Sequence, residues 1–268
     1  MMKRPILIYT LSLLGFALFW AALAGLRGDA RILPGPGEVL AVLWQEAASG
    51  RLWRHLGMTL WRMAAAFGLA MAIGTALGLW LGRHPRAEIW ARVWVTIFLN
   101  LPALVVIVLC YLWIGLNEVA VVVAVAINKT AMVTVALRDG ARGLVPGLED
   151  MSHVFRLTRW QRLRHVHLPQ LAPFVLTAAR AGIAMIWKVV LVAEFLGRSS
   201  GIGFQIHLNF QLFEIARVLA YALAFVAVMV AIEIGIFAPL ERRVSRWRGP
   251  VSGADRSRAA AGRWPRWR

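Results

Sequence analysis

Long apolar segments alternate with short polar ones along almost the whole 268-residue chain. Six such segments are found, at residues 5–25, 57–82, 93–114, 119–137, 173–196 and 218–240. Each contains about 20 residues or more, which as a helix is long enough to cross the hydrocarbon core of a bilayer. Because backbone polar groups in that core must bond to one another, each segment is predicted to be helical. The pattern therefore predicts an all-α membrane protein with about six transmembrane helices.

Particular residues within these segments refine the prediction. The third segment contains Pro102, which is expected to kink its helix. Only residues 115–118 separate the third and fourth segments, which predicts a tight hairpin. Small residues recur every four positions along the second segment, at Ala66, Ala70, Gly74, Gly78 and Gly82. This spacing permits close helix packing in lipid, and we expect most of that packing to lie within the chain.

Composition and charge support a membrane location and indicate an orientation. The chain is 60% hydrophobic and 16% charged, with a net charge of +17, whereas soluble domains are roughly 45–50% apolar and about 25% charged. The cations lie between the apolar segments and in the C-terminal tail, which argues against nucleic-acid binding and favours cytoplasmic termini.

The first apolar segment is longer than that of a signal peptide, so it is expected to remain as a helix. The single cysteine, Cys110, excludes a disulfide within the chain.

Two of the connecting regions have helical periodicity of their own. Residues 38–48 are amphipathic. They are predicted to lie outside the cytoplasm, either on the surface of the membrane or on neighbouring helices. The longest internal loop, residues 139–172, is basic and contains two predicted short helices. Asp150 is expected to cap or charge-complement the first helix, and Thr158 to cap a second one that ends before Pro169.

The end of this loop resembles the "EAA loop" of ABC importer permeases. Leu168-Pro169 and the branched Val166 match the end of the family's pattern, which places Asp150-Met151-Ser152 at its Glu-Ala-Ala position, beside Glu149. The family's glycine falls on Arg156, between the two helices, where a positive φ or a close approach is usual. Five other short segments also resemble the nitrate, sulfonate and taurine branch of these permeases. They are Leu33-Pro34, Leu60-Trp61-Arg62, Arg159-Trp160-Gln161, Ala193-Glu194 and Ser199-Ser200-Gly201-Ile202-Gly203-Phe204.

The resemblance implies the type I ABC importer architecture and a division of the chain into three parts. Residues 1–56 form the first transmembrane helix and a periplasmic amphipathic segment, 57–245 the permease core with the loop 149–169, and 246–268 a basic disordered tail. The implied partners are two cytoplasmic ATPase subunits, a periplasmic or lipid-anchored substrate-binding protein and a second copy of the chain. No phosphate-binding Gly-rich Lys-Ser/Thr loop is present in the sequence, so ATP is expected to be hydrolysed by the partner.

The candidate functional residues fall into two groups. The resemblance and the apolar side of the loop predict an ATPase-coupling surface made of Glu149, Asp150, Val154, Phe155, Arg156, Arg159, Trp160, Leu163, Leu168 and Pro169. Lys129, Lys188 and Glu194 are candidates for the translocation pathway, because ionisable groups inside a membrane are costly. Lys129 has the alternative of a buried contact with a carboxylate such as Glu233, and Arg62 is expected to snorkel to the interface.

The implied function is a permease subunit in the bacterial inner membrane that imports a small anion such as an organosulfonate, taurine or nitrate. A secondary transporter or channel that needs no ATPase is the alternative, although no internal symmetry supports it. The sequence contains no His-Glu-x-x-His or Gly-x-Ser-x-Gly pattern, so we predict no catalytic residues, bound metal or cofactor.

Overall fold

The computed structural model of the protein describes residues 3–29 and 31–245, and this part of the chain contains helices and no strands. The helices are α1 Lys3–Arg27, α2 Pro36–Ala48, α3 Arg51–Arg83, α4 Pro85–Asn100, α5 Ala103–Ile114, α6 Glu118–Arg142, α7 Pro146–Val154, α8 Arg159–Arg162, α9 Leu168–Gly197, α10 Ile202–Gln211, α11 Ile215–Ile232 and α12 Ala238–Ser245. Two π-helical turns, Leu163–His167 and Glu233–Phe237, join α8 to α9 and α11 to α12. The predicted all-α class is confirmed. The C-terminal tail predicted from residue 246 onward lies outside the described residues.

Five helical stretches among the described residues are long and apolar enough to cross a membrane. They are Thr10–Arg27, Arg51–Arg83, Glu118–Arg142, Arg159–Gly197 and Ile215–Glu241. Helices α4 and α5 together make a sixth candidate span, but they are bent by 95° where they meet. About six spans is therefore correct.

The break between α4 and α5 is much sharper than the predicted kink at Pro102. Leu101 and Pro102 both adopt extended ψ values, 124° and 128°. Proline has no N–H to continue the helical ladder, and its ring disfavours helical geometry at the preceding residue. The third predicted helix is consequently two helices rather than one.

The small residues of α3 pack directly against α6, as predicted. A Cβ atom at Gly74 would lie 2.6 Å from Cβ of Val133, and one at Gly78 would lie 2.6 Å from the backbone oxygen of Thr134. Such distances are shorter than side-chain contacts allow, so only glycine permits the two helices to approach this closely. The α3–α6 pair forms the centre of the bundle. Helices α9, α5 and α10 pack against this pair, and α11 packs on α10 and α2.

Helix α1 stands apart from this bundle. Its apolar side chains remain exposed, including Leu13 at 69% and Leu18 at 70%. Its connection to the rest of the chain includes a hydrogen bond from the indole N–H of Trp20 to the Pro34 carbonyl, 3.1 Å long. The amphipathic helix predicted at residues 38–48 is α2, which packs on α11 and α3.

Candidate coupling loop, pathway residues and buried ion pairs

Helices α7 and α8 form the compact end of the longest internal loop. Thr158 caps α8 as predicted, because its hydroxyl accepts a hydrogen bond from the Gln161 N–H at 3.3 Å. The Gln161 side-chain oxygen in turn accepts a hydrogen bond from the Thr158 N–H at 2.9 Å, which completes a capping box. The loop is therefore held by local hydrogen bonds even though α8 has only four residues.

Two details of the predicted loop are wrong. Asp150 does not cap the first helix, because α7 already begins at Pro146, a residue favoured at the first helical position. Pro169 does not end the second helix, which continues through the π turn into α9. In that turn the Leu168 N–H donates a hydrogen bond to the Leu163 carbonyl, five residues earlier. This π turn is wider than an α-helical turn, and it places Pro169 in the first turn of α9, where proline is tolerated.

Arg156 occupies the connection between α7 and α8 with a φ of +47°. This is the left-handed region that usually favours glycine, and an arginine there costs roughly 1–2 kcal/mol. The reversal is closed by hydrogen bonds from the Arg156 N–H to the His153 carbonyl and from the Leu157 N–H to the Ser152 carbonyl, both 3.0 Å. The backbone at this position thus has the positive φ that is usual for the family's glycine.

The apolar residues predicted for docking are exposed at the tip of the loop. The exposed fractions are 78% for Val154, 71% for Phe155 and 66% for Trp160. Leu163 and Leu168 are exposed at 39% and 50%. We call the surface made by Val154, Phe155 and Trp160 the loop tip. An exposed group of large apolar side chains on hydrogen-bonded turns is typical of a surface that contacts a partner.

The charged residues of the loop are arranged around this tip. Glu149 lies 3.6 Å from Arg162 and 3.5 Å from His167, so it joins α7 to the α8–α9 connection. Asp150, Arg156 and Arg159 are exposed. The predicted coupling residues therefore divide into an exposed apolar centre, a charged rim and the internal brace at Glu149.

The two lysines proposed for the pathway differ in their surroundings. Lys129 on α6 is only 5% exposed, and its Nζ lies 3.5 Å from the Met185 sulfur. Glu233, suggested as its partner, instead makes an ion pair with Arg180, so that assignment is wrong. Lys188 on α9 is exposed, and its Nζ lies 5.5 Å from the centre of the Trp187 ring.

Glu194, the third pathway candidate, lies in a buried ion pair rather than on an open surface. Its side chain and that of Arg62 are both 0% exposed, and Oε1 of Glu194 lies 2.6 Å from Nη1 of Arg62. Glu194 also accepts hydrogen bonds from the Thr59 hydroxyl and the Gly203 N–H, both 2.9 Å. The expectation that Arg62 would snorkel is wrong, because helices α6 and α9 supply its partners inside the bundle.

The Arg62 guanidinium connects four segments of the chain. It binds Glu118 at the start of α6 through two N–H groups, at 2.7 and 2.8 Å. It also donates to the carbonyl and hydroxyl of Ser200, at 2.7 and 2.8 Å. Arg198 makes a second ion pair with Glu118. Sequence reasoning missed Glu118, Arg198 and Ser200. A usable signal was present, because an acid begins α6 and an arginine directly follows α9.

The comparisons with known proteins agree with this architecture. Residues 51–246 match the family described as "binding-protein-dependent transport system inner membrane component". A permease protein assigned to aliphatic sulfonates transport in Bacillus subtilis is 28% identical over 235 residues, covering 87% of this chain and 85% of the relative. The corresponding Escherichia coli protein is 30% identical, covering 81% and 82%. The taurine transport system permease protein of Escherichia coli is 25% identical, covering 82% and 81%.

Solved structures share the fold at lower sequence identity. A chain of the MetNI methionine ABC transporter in an inward-facing conformation has a TM-score of 0.55 and 18% identity, covering 72% of this chain and 94% of that one. The family match covers most of the chain, and the helical bundle agrees with it. The protein therefore belongs to the family of binding-protein-dependent transport system inner membrane components and is an ABC importer permease subunit.

Proposed function

We propose that this permease subunit forms the translocation pathway of an importer of small organosulfonates and couples to a separate ATPase through the loop tip. The observation that carries the coupling is the exposure of Val154, Phe155 and Trp160 on turns fixed by the Thr158 capping box. Apolar anchors that leave water on docking supply most of the binding energy of an interface. A preformed loop also has less conformational entropy to lose on docking.

The charges around the loop tip favour an acidic groove on the ATPase. Arg156, Arg159 and Arg164 are exposed near the apolar centre, whereas Asp150 is an exposed acid on α7. Rim charges of one sign steer a complementary partner and suppress like-charged ones. The loop would then be cytoplasmic, as would both termini, and a binding protein would deliver substrate from the opposite side of the membrane.

The pathway is proposed to run along the face of α9 that carries Lys188. Met185 and Val192 on the same face are exposed at 48% and 39%, so this face is not covered within the chain. A lysine held in hydrocarbon costs about 2.5–3.5 kcal/mol, a cost that a water-filled pathway removes. In a dimer of this chain, two such lysines would attract an anion. Lys129, which contacts Met185, would contribute from behind this face.

The substrate class rests on the relatives, which are named for aliphatic sulfonates and taurine. These compounds carry a permanently anionic sulfonate group, which suits a pathway that contains lysine. Nitrate, another small anion, remains a substrate to compare in the same assay. All of these candidate substrates carry a small anionic group, so the pathway must accept such a group.

Reconstitution with a partner ATPase and a substrate-binding protein tests the coupling. The double variant Phe155→Ser/Trp160→Ser should lose at least about 2 kcal/mol of ATPase affinity, roughly 30-fold, while the bundle still inserts. The matched control is Trp44→Ser, because Trp44 is 75% exposed on α2, outside the loop. ATPase retention and taurine-stimulated hydrolysis that are normal in the double variant would disprove docking at the loop tip. Taurine uptake without any ATPase would favour a channel or secondary transporter.

The pathway is tested separately, by uptake per assembled complex. Lys188→Met should lower the uptake of taurine and alkylsulfonates with little loss of yield, because Lys188 is exposed. Lys129→Met should lower uptake only if its ammonium group acts on the substrate from behind Met185. Normal uptake per complex in the Lys188 variant would exclude this face of α9 as the pathway, and reduced yield alone in the Lys129 variant would make that residue structural.

A further inference from the structure

A long apolar groove runs between α3, α4 and α6. It has a volume of about 550 Å³ and is lined by apolar residues and two threonines, among them Ile73, Leu77, Trp80, Trp94, Phe98 and Thr134. The hydroxyls of Thr130 and Thr134 are bonded to backbone carbonyls of their own helix, at 2.8 Å each. The two threonine hydroxyls therefore need no polar partner from a molecule in the groove.

The groove is open sideways, where a lipid could enter. Trp80 and Trp94 are exposed at 52% and 65%, and Ile73 and Leu77 at 43% and 42%. Along α3 it extends from Leu69 to Leu81, which at 1.5 Å per residue is about 18 Å. This is close to half of the roughly 30 Å hydrocarbon core. The groove thus has the length of one leaflet's acyl chain.

A cluster of arginines lies just beyond one end of the groove. Arg138 follows the lining residue Thr134 by one helical turn of α6, and Glu88 precedes the lining residue Ala91 by one turn of α4. The Glu88 carboxylate, which is 4% exposed, lies 3.2–3.3 Å from the guanidiniums of Arg92, Arg138 and Arg142.

The cluster has more positive charge than its carboxylates neutralise. Asp139 adds a second ion pair to Arg138 at 2.8 Å, so three arginines face two carboxylates. Arg92 and Arg142 are 66% and 41% exposed and retain free faces of their guanidiniums. Guanidiniums bind phosphate oxygens through paired N–H groups. The apolar groove and the cationic end together match the two halves of an anionic phospholipid.

We propose that this groove is a binding site for an anionic phospholipid, with one acyl chain along α3 and α6 and the phosphate at Arg92 and Arg142. The lipid would cover apolar surface of α4 that the chain itself leaves exposed, and would hold α4 against the α3–α6 pair. A zwitterionic lipid would fill the groove less tightly, because its headgroup adds no net negative charge to the arginine cluster.

Native mass spectrometry of the full-length protein, delipidated in detergent and titrated with phosphatidylglycerol or phosphatidylcholine, tests the proposal. Phosphatidylglycerol should bind at least about fivefold more tightly. Arg142→Gln should weaken its binding about fivefold, equivalent to about 1 kcal/mol, while Arg164→Gln, which removes an exposed loop arginine, should not. Equal binding of both lipids, or equal weakening by both variants, would overturn the proposal.

A photo-crosslinking amino acid at position 73 identifies what occupies the groove in membranes. A crosslinked product with the added mass of one phospholipid would support the proposal, and it should be lost when Leu77→Trp fills the groove. A covalent dimer would show instead that a second copy of the chain covers this surface, which would also overturn the proposal. Both measurements are independent of the ATPase and of the transported solute.

Discussion

Replacing Arg62 with methionine is expected to destabilise the bundle more than any single change at an exposed arginine. The guanidinium is fully buried and donates hydrogen bonds of 2.6–2.8 Å to Glu118, Glu194 and Ser200. Methionine has a similar length and apolar stem, so the change mainly removes the charge and the donors. The helices α3, α6 and α9 would then lose their shared contact.

The magnitude follows from what remains around Glu194. Its carboxylate is 0% exposed and would keep only the Thr59 hydroxyl and the Gly203 N–H as donors. Removing one partner of a buried ion pair costs about 3–5 kcal/mol, because the other charge is left without a counter-charge. Glu118 would be less affected, since it is 39% exposed and retains Arg198.

A double-mutant cycle distinguishes this stranded charge from a general loss of packing. Glu194→Gln removes the charge that Arg62→Met would strand, so the double variant should be more stable than the sum of the two single losses predicts. Arg54→Met serves as the matched control, because Arg54 is an exposed arginine of the same helix. Its effect should stay within about 0.5 kcal/mol.

Equilibrium unfolding in mixed detergent micelles, followed by tryptophan fluorescence, measures these free energies. The free energy of unfolding should be much lower for Arg62→Met than for Glu118→Gln. That of the Arg54→Met control should be close to the value of the unaltered protein. A loss of less than about 1 kcal/mol for Arg62→Met, or strictly additive losses in the cycle, would refute the argument that burial without a counter-charge determines the cost.

Three further changes test separate contacts. Gly78→Ala should reduce thermal stability by about 1–3 kcal/mol, because the new Cβ would lie 2.6 Å from a carbonyl oxygen of α6; Gly68→Ala, where no atom lies within 4 Å, should be neutral or slightly stabilising. Tyr221→Phe removes a 2.7 Å hydrogen bond to the buried Glu46 and should cost about 1–3 kcal/mol in the same unfolding assay. Thr158→Ala should lose about 0.5–2 kcal/mol of cap energy, seen as weaker ATPase retention with unchanged unfolding of the bundle.

The loop shows how a local rule can succeed while a neighbouring one fails. The Thr158 cap depends on residues within one turn, and the structure contains it. The stop expected at Pro169 also rested on a local rule, but the π turn from Leu163 to His167 carries the helix through the proline. Arg156 adopts the positive φ expected at the family's glycine position. A sequence pattern therefore located the loop more reliably than it determined which residues end its helices.

The approximate number of spans, the packing stripe of α3 and the cap at Thr158 followed from the sequence alone. Each depends on composition or spacing within a single helix, which a single sequence displays directly. The partners of Arg62 did not follow, since Glu194 lies 132 residues away and is brought near only by the packing of α9 on α3. The same reason explains the two lysines. Hydropathy predicted that both lie inside the membrane, but only the rotation and packing of α6 and α9 buried Lys129 and left Lys188 exposed.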